Sequence, residues 1–173
     1  MCADVAAAIV HSLSAHASVA AVCEAGCEVL ANIANSDAGQ AACVDVGAPR
    51  AVVAALTTHA GVAAVCKAGC GALTVISCSD AGAATCVAAG APRVLAATLA
   101  THMDSPDVRL YAYWAFLFTS PGDSDAHLHT IEVASVVPEL VQALVQSAVV
   151  PFARSKVFAA LEELGYTNAG APF

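Results

Sequence analysis

The 173-residue chain is short of basic charge: six Lys and Arg stand against fourteen Asp and Glu, giving a net charge of −8. No basic stripe is present to neutralise phosphates, so nucleic-acid binding is disfavoured. The acidic balance suits a basic partner, and it also aids solubility. A long uninterrupted apolar run is missing as well. Hydrophobic residues make up 59% of the chain and mean hydropathy is +0.74, values that invite a membrane assignment. Much of that content is Ala and Val, and polar residues interrupt it before the roughly 18 apolar residues of a spanning helix are reached. The nearest approach, 51–66, is broken by Thr57, Thr58 and His59. The opening Met1-Cys2-Ala3-Asp4 lacks the basic segment of a secretory signal, and neither end carries a lipidation motif. No strand pattern leads into a phosphate-cradling glycine loop, and no catalytic order of residues is readable. The expectation is a soluble, non-enzymatic, intracellular protein, cytoplasmic or nuclear, with no cofactor and no membrane insertion.

What the chain does have is internal repetition. Val22-Cys23-Glu24-Ala25-Gly26-Cys27 returns as Val65-Cys66-Lys67-Ala68-Gly69-Cys70. Ser36-Asp37-Ala38-Gly39 returns as Ser79-Asp80-Ala81-Gly82, and Gly47-Ala48-Pro49-Arg50 as Gly90-Ala91-Pro92-Arg93. The offset is 43 residues each time. A period in the low forties marks stacked helical units that bury their apolar faces against their neighbours.

Each unit reads as three helices. A short one opens at Ser-Asp, a natural N-cap pair, over about 37–46, 80–89 and 125–134. Gly47, Gly90 or Ser135 follows, and glycine suits a helix end because it tolerates a left-handed backbone. The second helix carries proline in its first turn (Pro49, Pro92, Pro138), where the missing N–H costs nothing. The third and longest covers about 19–35, 62–78, 106–119 and 151–164. Its first, fifth, eighth, ninth and twelfth core positions form one inward stripe of a 3.6-residue helix. The fifth is Gly26, Gly69 or Ala112, which predicts close approach of a neighbouring helix.

This pattern resembles the armadillo repeat family. The resemblance rests on the three-helix unit, on Gly-x-Pro before the second helix, and on Val29-Leu30-Ala31-Asn32-Ile33 and Trp114-Ala115-Phe116 in the third. HEAT repeats have two helices per unit, and the Ser-Asp helix argues against them. The resemblance implies an all-α, right-handed solenoid of about three and two-thirds repeats (about 4–46, 47–89, 90–134 and 135–173) forming a single domain. It also implies a concave groove, lined by the third helices, that binds a protein partner. That partner is an extended peptide segment or a subunit of a larger complex. In the nuclear-import adaptors of the family, groove Trp and Asn recur in every repeat. Here the Asn position holds Asn32, Val75, Phe118 and Glu163, and the Trp position holds Glu28, Gly71, Trp114 and Ala159, so that pattern is not kept.

Within this frame Tyr111, Trp114 and Phe118 share one outward face at i, i+3 and i+7, and are the expected partner-binding anchor. Glu28, Asn32 and Glu163 are the polar groove candidates. A second reading is a structural subunit packed through its ends, with Val136, Val137, Leu140, Val149, Val150 and Phe152 as apolar surface. Six of the eight cysteines fall in repeat-related pairs. Equivalent helices lie about 8–10 Å apart, too far for a disulfide. Cys23/Cys27 and Cys66/Cys70 have the i, i+4 spacing of two metal ligands, but nothing nearby completes a zinc set, so small buried thiols are expected. His16, His59 and His102 recur at the repeat spacing after the second helix, where capping of that helix's last carbonyls is expected. His127 and His129 with Asp123 and Asp125 form the densest polar cluster, but on a helix the two histidines point apart.

Overall fold

The computed structural model describes residues 2–119, within the first of the chain's two compact units, Met1–Pro121. Among the described residues there are eight helices and no strand: α1 (Cys2–Ala15), α2 (Ala20–Ile33), α3 (Asp37–Asp45), α4 (Ala48–Thr58), α5 (Ala63–Ile76), α6 (Asp80–Ala88), α7 (Ala91–Thr101) and α8 (Pro106–Thr119). The described part of the protein is all-α and built of helical repeats. α2 and α5, α5 and α8, α3 and α6, and α4 and α7 all begin and end 43 residues apart. The expected fourth-unit helices, Glu163, the His127/His129 cluster and the apolar set from Val136 to Phe152 lie outside the described residues.

The local signals act as their chemistry dictates. Ser36 and Ser79 have extended backbone, and each Oγ accepts a hydrogen bond at 3.1 Å from the N–H three residues on, of Gly39 and Gly82. Each such cap contributes about 1 kcal/mol. Gly47 and Gly90 stand at φ 73° and 84°, the left-handed region that costs a side-chain-bearing residue energy. The chain then turns by 72° into α4 and by 74° into α7, with Pro49 and Pro92 in the first turns. No single described helix is long and apolar enough to cross a membrane.

α5 packs against both α2 and α8. Its expected inward residues Val65, Gly69, Ala72, Leu73 and Ile76 are all buried, together with Cys66 and Cys70. The equivalent stripe of α2 is less covered: Val29 is 37% exposed, and Val22 and Ile33 are half-buried. The predicted close approach at the fifth position is present. A Cβ on Gly26 would lie 2.6 Å from Leu13 Cδ2, and one on Gly69 2.7 Å from Leu56 Cδ2. Leucines of α1 and α4 thus seat over bare backbone, and burying each contributes about 2 kcal/mol. Gly39 and Gly82 are tighter still. A Cβ there would fall 1.7 Å from the Ile33 carbonyl oxygen and 1.8 Å from that of Ile76. This contact explains the glycine in Ser-Asp-Ala-Gly.

Two expectations are corrected. Trp114 and Phe118 do not face outward: each is only 5% exposed. α8 buries Val108, Ala112, Tyr113, Trp114, Ala115, Phe118 and Thr119, which spread around most of its circumference. Beyond Asp107 and Arg109 in its first turn its sequence has little polar side, and such a stretch is interior rather than one-faced. The recurring histidines also act differently. Their rings do not cap their own helices, whose ends are closed by the backbone N–H groups of His59 on Ala55 and His102 on Thr98. Instead His59 Nε2 lies 2.8 Å from the Ala17 carbonyl oxygen, and His102 Nε2 2.8 Å from that of Ala60. His59 and His102 therefore each tie their unit to the turn of the preceding one. The same turn carbonyls, and their counterpart at Met103, are also met from the first turns of α2, α5 and α8. Cys23 Sγ approaches the Ala17 oxygen at 3.6 Å and Cys66 Sγ that of Ala60 at 3.5 Å, while Arg109 Nη1 donates to Met103 at 3.0 Å.

Candidate functional site

A cleft of about 530 Å³ runs across α2, α5 and α8. That volume falls within the roughly 300–1,000 Å³ of ligand-binding clefts. α2 contributes Glu24, Glu28, Ala31 and Asn32, which lie on one face at i, i+4, i+7 and i+8. From α5 come Ala64, Lys67, Ala68 and Gly71, again on one face, and from α8 comes Tyr111. The cleft exists because stacked equivalent helices present small residues here. The nearest atom to a Cβ on Gly71 would be Tyr111 Cδ1, at the ordinary contact distance of 3.5 Å.

Its charges are unevenly placed. Lys67 Nζ donates to Asp107 Oδ2 at 2.7 Å, linking α5 to α8. That hydrogen bond, ahead of the opposing effect of burial, raises the Lys67 pKa above its ordinary value. Both groups are well exposed (45% and 71%), so the pair contributes under about 1 kcal/mol. Lys67 Nζ also sits 5.8 Å from the centre of the Tyr111 ring, within cation–π range. The Tyr111 ring in turn lies 6.1 Å from Trp114, tilted by 60°. With Lys67 engaged by Asp107, the remaining formal charge of the cleft is the two carboxylates of Glu24 and Glu28, one helical turn apart on α2.

Of the residues expected at the site, Glu28, Asn32 and Tyr111 come together in this cleft. Trp114 and Phe118 are interior and do not line it. The Trp114 indole N–H is buried without a hydrogen-bond partner. Sequence reasoning missed Glu24 and Lys67. The signal was present: they hold the same place in successive units, and Glu24 stands four residues before Glu28 on the same helix face.

Seven of the cysteines are enclosed. All eight are free thiols, and all but Cys2 are buried. Burial, followed by Cys23 and Glu28 nearby, pushes the Cys27 thiol up to about 12. Burial likewise raises Cys70, with Cys66 and Cys27 adding to it. Cys86 rises to about 11, again through burial, with the neighbouring Ser77 hydroxyl pulling the other way. A protonated, enclosed thiol is a poor nucleophile and a poor metal ligand. Among the described residues no group of three His, Cys, Asp or Glu is placed to hold a metal ion.

No protein-family model matches the chain, and no curated protein and no solved structure is significantly similar to it.

Proposed function

We propose that this protein is a non-enzymatic interaction module of armadillo type, which holds a segment of a protein partner in the cleft across α2, α5 and α8. The observation that carries this reading is the cleft itself. It is formed by the same face of three repeat-equivalent helices, it is floored by Ala and Gly, and it is edged by polar groups that have somewhere to point. The armadillo-type, right-handed solenoid of about three and two-thirds repeats is part of the same proposal, supported by the three-helix unit and its recurring caps. The seven buried free thiols support a reducing, intracellular setting.

The test is affinity purification of the full chain beside Ala64→Trp, with partners read by mass spectrometry. Ala64 is exposed and lines the cleft, so tryptophan there fills the space without disturbing the core. Partners lost with Ala64→Trp support the reading. Partners retained in full would sink it.

One observation favours a second reading, a structural subunit packed through its first unit. Val5 and Val29 are 47% and 37% exposed, whereas Ala48 and Ala72, their equivalents one unit on, are fully buried. Uncovered stacking surface of this kind drives association at solenoid ends. Light scattering of the full chain and of Val29→Glu tests it: a monomer at every concentration in both cases would remove it.

A further inference from the structure

The rear side of α1 and α2 is bare, and the same side one unit on is not. α1 packs on α4 and α2 on α5, so the rear of α4 and α5 is covered by this chain's own helices. Ala48, Val52, Ala55, Val65, Ala72 and Ile76 are all buried. Their equivalents in α1 and α2 are Val5, Ile9, Ser12, Val22, Val29 and Ile33. Val5 and Val29 are exposed, and the other four are half-buried. None of these six is charged, in a chain of net charge −8. His16 is exposed beside them, whereas His59 and His102 each reach the turn of a preceding unit.

Resting on the reading of a subunit packed through its first unit, we propose that this rear face joins two copies of the chain across a twofold axis, with α1 and α2 of one copy against α1 and α2 of the other. Side-chain size points to this occupant. Alanine stands at both places in both later units: Ala48 and Ala91 are equivalent to Val5, Ala72 and Ala115 to Val29, and all four are fully buried. Valine at both places overfills the head-to-tail fit that the later units use, so the face is not one more joint of the array. Nor is it a cap, because a terminal unit that meets water carries a polar outer side. Charge points the same way. Two copies of net charge −8 repel wherever their charged sides approach, and a charged partner would find no opposite charge among these six residues. A neutral apolar patch is where two such copies meet without that penalty, and interface cores are depleted of charge. Twofold pairing buries one patch against itself and is the commonest closed arrangement.

The experiment is sedimentation velocity on the full chain from about 1 μM to about 1 mM, beside Val29→Glu and the Val5→Ala/Val29→Ala double variant. The chain is expected to pass from monomer to dimer and to stop at two. A twofold axis brings each substitution into the interface twice. Tenfold weakening per buried carboxylate therefore becomes about a hundredfold in Val29→Glu. The double variant carries the residues of the later units, so it folds, and it is expected to pair about tenfold more weakly. A chain that stays monomeric throughout overturns both the pair and the packed-subunit reading. Species that grow past two with concentration, and are lost in the variants, overturn the twofold pair while the face remains a packing surface. A dimer that either variant keeps at full strength places the contact elsewhere and overturns the proposal.

Discussion

Replacing Gly82 by alanine puts the packing argument at risk, because two principles give opposite signs. Gly82 lies in the first turn of α6, and helix propensity alone favours alanine there by about 1 kcal/mol. The structure predicts the reverse. The added Cβ would stand 1.8 Å from the Ile76 carbonyl oxygen and 2.9 Å from Ser79 Oγ. An ordinary non-bonded contact is about 3.5 Å, so α5 and α6 must part by more than an ångström. The obstructing atom is backbone and cannot rotate away. Overpacking of this severity costs about 3 kcal/mol, and displacing the Ser79 cap costs about 1 more. After the propensity gain the net loss is about 3 kcal/mol. With a urea dependence of about 2 kcal/mol per molar, the unfolding midpoint falls by about 1.5 M. Gly39→Ala repeats the experiment one unit earlier, against the Ile33 carbonyl at 1.7 Å. Gly71→Ala is the control, since its Cβ meets Tyr111 at 3.5 Å; its midpoint rises by about 0.5 M. If Gly82→Ala and Gly71→Ala move the midpoint in the same direction, the close approach of α5 and α6 is refuted.

Trp114→Ala leaves a cavity in the interior and is expected to cost about 3–5 kcal/mol, so any binding it loses should track a lowered urea midpoint; a fully stable variant would contradict the burial of this ring. His102→Ala removes a bond to the preceding unit and should cost about 1 kcal/mol while speeding amide exchange at 60–62; unchanged exchange there would show that the ring acts elsewhere. Iodoacetamide at pH 8 should label Cys2 alone in the native protein and all eight thiols after unfolding, as peptide mass mapping would show. Folding raises the pKa of the buried thiols, so the unfolded chain ionises first. Their contribution to stability is complete below the ordinary value of 9.0 and is lost as pH rises toward about 11 for Cys86 and about 12 for Cys27. Urea midpoints that stay level from pH 8 to pH 11 would reject that linkage.

The helix boundaries were legible because they are set by local chemistry. Ser36, Gly47 and Pro49 each satisfy or omit a backbone group wherever they stand, and their counterparts 43 residues on do the same. The close approach at Gly26 and Gly69 was legible for a related reason: a missing side chain on an apolar stripe has few other uses. The interior position of Trp114 and Phe118 was not, because a stripe argument needs a polar side, and α8 has little of one. Nor could the reach of His59 be read. A sequence shows which donors recur, but not which carbonyl of the neighbouring unit comes within 2.8 Å. Of the nine residues lining the candidate site, Glu28, Asn32 and Tyr111 were visible. Glu24 and Lys67 were hidden because a charged residue on an exposed helix face is unremarkable until the neighbouring helix shows what it faces.

The histidine bonds give the array a direction. Each unit sends a ring backward and offers a turn carbonyl forward, so the two faces of a unit differ and fit head to tail rather than face to face. Interfaces of that kind lengthen a stack and do not close it into a pair. With helix limits and cross-unit bonds recurring at one 43-residue interval, gain or loss of a whole unit by in-frame duplication or deletion restores every junction to the same kind of neighbour. The number of units can therefore change in a single genetic step, while a deletion of any other length leaves one junction without its match.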